Sequence, residues 1–79
     1  MSTGSKPKLS SRPDEDIARD VKASIKFDSD VPDERIRVTV HDGLVTLEGT
    51  VETSLQKVAA ETDARKVKGV RTVENRIQV

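Results

Sequence analysis

IRVTVHDGLVTLEGTV, residues 36–51, alternates apolar and polar side chains on either side of an Asp42-Gly43 pair. Ile36, Val38 and Val40 interleave with Arg37, Thr39 and His41, while Val45, Leu47 and Val51 interleave with Thr46, Glu48 and Thr50. A period of two marks strands with one buried face. Asp-Gly between two such runs favours a two-residue type I′ turn, because glycine accepts the positive φ this turn requires. That turn sets the register: Val40 opposite Val45, Thr39 opposite Thr46, Val38 opposite Leu47, Arg37 opposite Glu48. Every apolar pair then falls on one face and opposite charges meet on the other. Gly49 joins the apolar face, where a missing side chain lets a helix approach the sheet closely.

The cover for that face has to come from the flanks. A first helix is expected from about Asp14 to Lys26, with Ser11 or Asp14 as its cap and an acidic first turn (Asp14, Glu15, Asp16) suited to the positive end of the helix dipole. Ile17, Val21 and Ile25 recur every fourth residue as its buried stripe. Asp28, Ser29, Asp30 and Pro32 end it, and Phe27 and Val31 are expected to tuck under the sheet edge. A second helix is expected from about Thr53 to Lys68, capped by Thr53 or Ser54 and stopped by Gly69. At about 100° per residue, Ala60, Ala64 and Val67 share one side, with Leu55, Val58, Ala59 and Thr62 nearly opposite. Small residues suit the close approach suggested by Gly49, so the alanine stripe is assigned to the sheet and Leu55 and Val58 are left partly exposed. The closing run VRTVENRIQV puts Val73, Asn75, Ile77 and Val79 on one strand face. The expected fold is α+β: a two-layer αββαβ unit, a three-stranded mixed sheet with two helices on one face. The order of strands in the sheet is left open.

Composition narrows the functional classes. Lys and Arg number 14, as do Asp and Glu, so bulk charge gives no reason to bind nucleic acid or anionic membrane. Three of those cations, Lys6, Lys8 and Arg12, stand in MSTGSKPKLSSRP; residues 1–13 are therefore expected to form a disordered leader or tag ahead of a domain over residues 14–79. Cysteine is absent, which removes disulfides and thiolate metal sites, and Phe27 is the only aromatic residue. No apolar run approaches the ~20 residues needed to span a bilayer, and no signal peptide is visible.

The run IRVTVHDGLVTLEGTV, followed by Ala60, Ala64, Val67, Gly69 and Val70 at a helix exit and then by VENRIQV, resembles the BON domain, a family named for bacterial osmotically inducible and nodulation proteins. The resemblance covers Asp14 to Val79. It implies an αββαβ fold, no enzymatic activity, a periplasmic or envelope location in an osmotic-stress or transport-associated context, and anionic phospholipid as a ligand of some members. The lack of a visible signal peptide leaves the cytoplasm open.

Each candidate site has to be weighed against a purely structural role. His41 is the only histidine and lies beside a tight turn, with no partner or substrate pocket to make it a general base; no catalytic residue is assigned. The acidic run DSDVPDE (28–34) lacks the glycine and the ligand offsets of a calcium loop; no metal and no cofactor are expected. The open sheet face carries no aromatic platform for bases, which argues against nucleic acid. Asn75, on the apolar face of its strand, is expected to tether neighbouring backbone. Arg65, Lys66, Lys68 and Arg71 complement the dipole at the end of the second helix. Arg19, Lys22 and Lys26 lie within about 60° of one another on the side of the first helix away from its buried stripe. In one branch of the BON family the first helix contacts phospholipid, so these three are the expected lipid-binding residues, with Leu55 and Val58 as minor apolar contacts. The alternative is a protein-interaction module whose partner covers Leu55 and Val58 or adds a strand to a sheet edge.

Overall fold

The computed structural model describes residues 13–79. The expected leader, including Ser11, lies outside them. Helix α1 (Asp14–Phe27) leads through a short 3-10 turn (Asp33–Arg35) into β1 (Ile36–His41); β2 (Leu44–Thr50), helix α2 (Ser54–Arg65) and β3 (Thr72–Gln78) follow. The strand order is β1-β2-β3, with β1 antiparallel and β3 parallel to β2. The αββαβ architecture is therefore as the patterning required, and the central place of β2 is the new information.

The hairpin has the register its turn dictates, with Arg37 opposite Glu48, Val38 opposite Leu47 and Val40 opposite Val45. Asp42 and Gly43 take φ of 52° and 81°, the two positive angles of a type I′ turn. Val45 and Leu47 are completely buried because β2 has a strand on each side and helices over one face. Ile17, Val21 and Ile25 from α1, Ala60 and Ala64 from α2, and Ile77 from β3 complete the core with Val31 and Val51. Ile36, Val38 and Val40 pack against this core but are only partly buried, since they belong to an edge strand.

Four expectations need correction. Phe27 does not tuck under the sheet: it is 89% exposed, whereas Val31 is buried as expected. On the wheel Phe27 stands about 160° from Ile25, so helical geometry outweighs its hydrophobicity. Gly49 is needed for a different neighbour. Its φ is +138°, and a Cβ there would collide with the backbone carbonyl oxygen of Arg35, in the chain leading into β1, not with a helix. The alanine stripe is indeed buried, although Gly49 is not the reason. Asp14 is not a cap for α1. Pro13 occupies the cap position without a side-chain bond, and the Asp14 carboxylate instead accepts the N–H groups of Asp42 and Gly43 at 2.9 and 3.2 Å. It ties the start of α1 to the hairpin turn. Finally, α2 ends at Arg65 and not at Lys68; turns through Val67 and Val70 lead to Gly69 with φ of 98° and on to β3.

At the other end of α2 the expected cap is present. Thr53 accepts from Gln56 N–H, and the Gln56 side chain accepts from Thr53 N–H, a reciprocal box that satisfies two helix-end donors. Asn75 fulfils its tethering role: its amide donates to the Lys57 carbonyl at 2.9 Å and to Glu61 at 3.2 Å, and its oxygen accepts Ile77 N–H at 3.1 Å. β3 is thereby fastened to α2 through one side chain.

Candidate functional site

The C-terminal half of α1 presents the chemistry the sequence singled out. Lys22 and Lys26 are exposed, one turn apart, about 60° and 100° around the helix from Ile25 of the buried stripe. Arg19 lies on the same face, but its guanidinium is drawn to Asp16 at 3.1 Å, so part of its charge is already met. Phe27 is the last residue of the helix and lies outside this face. The only aromatic side chain therefore stands in solvent, about 100° around the helix from Lys26 and about 140° from Lys22, an exposure that the sequence reading missed. The helical wheel held the signal, because residue 27 falls outside the arc of Ile17, Val21 and Ile25.

Between this half of α1 and β1 runs an open groove of about 700 Å³. Lys22 and Lys26 form one wall, Ile36 and Val38 line the strand side, and Arg35 stands at the end by the 3-10 turn. Asp33 and Glu34 share that end, and Arg37 and Glu48 reach in from the hairpin. Leu55 and Val58, 81% and 58% exposed, stand on α2 and line no part of the groove. The structure thus groups Arg19, Lys22 and Lys26 on one helix and leaves Leu55 and Val58 as a separate apolar patch.

A second cluster joins the ends of the two helices. Asp63 is only 6% exposed, and its Oδ2 is buried without a hydrogen-bond donor. Burial, followed by the adjacent Asp28 carboxyl, pushes the Asp63 pKa up to about 6. Asp28 is held below the ordinary carboxylate range, first by its bond with Asp63 and then by the Asp30 N–H at 3.1 Å. Lys66 brings an exposed ammonium to 4.0 Å from Asp63 Oδ1. Ser24 donates to the Asp63 carbonyl at 3.0 Å and fixes the helices together at this point. The bond between the Asp28 and Asp63 carboxyls favours a proton on Asp63, and neither residue lines the groove. Glu61, one turn before the end of α2, is held low by Arg65 at 2.8 Å and by Asn75, an ordinary structural ion pair.

His41 is solvated, with Nε2 3.5 Å from Asp42 Oδ2 and both side chains more than four-fifths exposed. Among the described residues no group of three or more His, Cys, Asp or Glu is placed to hold a metal ion. No described helix is long and apolar enough to cross a membrane.

The comparisons with known proteins agree with the fold. A family model described as the BON domain matches residues 13–79. The chain is similar to osmotically-inducible protein Y of Escherichia coli (strain K12), with 39% identity over 56 residues. That match covers 71% of this chain but 28% of the relative. An αββαβ unit with the hairpin, helix exit and final strand in this order, matched along its whole described length, belongs to the BON-domain family.

Proposed function

We propose that the chain is a non-catalytic BON-type binding module that works at the bacterial cell envelope under osmotic or envelope stress and contacts anionic phospholipid through the C-terminal half of α1. The observation that carries this reading is that the C-terminal half of α1 exposes Lys22, Lys26 and, as its last residue, Phe27. Lysines near an anionic surface each contribute about 1 kcal/mol. An exposed aromatic ring adds apolar burial at the headgroup boundary, which two or three charges alone lack. Arg19 contributes less than the lysines, since Asp16 competes for it. Similarity to an osmotically inducible protein supports the stress context. The match covers a minority of that relative, so the role of the whole protein belongs to this proposal as well.

Titration with phosphatidylglycerol micelles, followed by amide NMR, tests it. The amides of residues 22–27 should shift, phosphatidylcholine should leave them in place, and binding should weaken several-fold as salt rises from about 0.01 M to about 0.3 M. Unmoved α1 signals at low salt would overturn the lipid reading.

A further inference from the structure

The geometry points to a second use of the groove: docking of an extended, acidic peptide segment as a fourth strand on the outer edge of β1, under the lysines of α1. This goes beyond lipid contact and does not depend on it, although both use Lys22 and Lys26.

β1 is an edge strand, and among the described residues no strand lies along its outer side. The turn decides which of its backbone groups face outward. His41 and Leu44 flank a two-residue turn and exchange both hydrogen bonds, so by the alternation of an antiparallel ladder Thr39 with Thr46 and Arg37 with Glu48 do the same. The N–H and C=O groups of Val38 and Val40, and the C=O of Ile36, therefore point away from β2. The Ile36 N–H is already given to the Asp33 carbonyl. Edge strands are commonly blunted by a proline, a bulge, very short length, charged side chains or a covering helix. β1 has six residues in unbroken register with no proline or bulge, its one formal charge is Arg37, and an open groove separates it from α1.

An added strand would alternate its side chains between the two sheet faces. Those on the helix side would enter the groove over the half-buried Ile36 and Val38, beneath the ammonium groups of Lys22 and Lys26. Apolar residues suit that floor, and a carboxylate at the rim meets the lysines. On the other face the new neighbours are Arg37 and Thr39, where a carboxylate again finds a cation. Asp33 and Glu34 repel acidic groups from the end nearest Ile36, which biases the position of the charges along the segment. A second copy of this chain fits less well. β1 reads IRVTVH and contains no acid, so self-pairing would give Arg37 no opposite charge.

The test is a random ten-residue phage-displayed library panned on the full chain, with the enriched sequences then made as free peptides. Enrichment of alternating apolar and acidic residues is expected. In amide exchange the free peptide should newly protect Val38 and Val40 and leave the already paired Arg37 and Thr39 unchanged. The exposed double variant Lys22→Glu/Lys26→Glu should weaken binding by roughly tenfold, the size of two surface ion pairs. Panned afresh, that variant should select basic segments. No enrichment, or peptides that protect β3 or shift Leu55 and Val58 instead, would overturn the inference. So would a β1-paired dimer in sedimentation, or phosphatidylglycerol vesicles binding at residues 22–27 with no peptide selected; the last result would leave the lipid proposal standing.

Discussion

Replacing Asp63 by asparagine should stabilise this domain at neutral pH, against the usual direction for a buried position. Asp63 is almost completely buried, its Oδ2 has no donor, and its neighbour is a second carboxyl, that of Asp28. Its pKa rises from 3.8 to about 6 on folding. A carboxyl raised in this way binds its proton more tightly in the folded chain. The stability it contributes is whole at pH below the unfolded value and is lost as pH rises through about 6. Integrating that linkage makes the domain about 2 kcal/mol more stable at about pH 4.5 than at about pH 7.5. For a domain of this size the difference corresponds to roughly 10 °C in Tm. Asp28 and Glu61 are shifted downward and work in the opposite sense, but only on the acid side of this window. Asparagine keeps the size, cannot ionise and supplies an N–H to Asp28. Asp63→Asn should therefore gain about 1 to 3 kcal/mol at about pH 7.5 and flatten the profile. Urea unfolding followed by far-UV circular dichroism at several pH values measures both. A flat wild-type profile between about pH 4.5 and about pH 7.5, or an Asp63→Asn variant less stable at the upper end, would refute a raised Asp63 pKa.

Other consequences are separable in the same assay. Gly49→Ala sets a Cβ against the Arg35 carbonyl at a φ of +138° and should cost about 2 to 3 kcal/mol or prevent folding, lowering Tm by 10 °C or more. Asp14→Ala removes the acceptor for two turn N–H groups and should cost roughly 1 to 2 kcal/mol, with asparagine recovering part of the loss in urea midpoints. Phe27→Ser should leave stability within about 0.5 kcal/mol, because the ring packs on nothing, yet reduce sedimentation with phosphatidylglycerol vesicles several-fold. Asn75→Leu should cost about 1 to 3 kcal/mol by leaving the Lys57 carbonyl and Ile77 N–H without their partner, and amide exchange should show β3 opening first.

The alternation in residues 36–51 determined the hairpin, its turn and its register, because a shift of one residue would turn every valine to water. Spacing of four in α1 and the alanine stripe of α2 likewise determined which helix faces the sheet covers. The basic face of α1 was legible for the same reason, being what remains when the buried arc is removed. Contacts between residues far apart in the chain were not legible. Nothing local reveals that Asp14 caps a turn 28 residues away, that Gly49 clears the Arg35 carbonyl, or that Asp28 meets Asp63. Those meetings depend on where α1 and α2 lie across a sheet whose strand order, β1-β2-β3, the patterning left open. The same packing leaves β1 at an edge beside two lysines and keeps Phe27 in solvent. Periodicity fixes which side of an element is apolar; only the packed layers decide which neighbours that side, and the opposite one, will have.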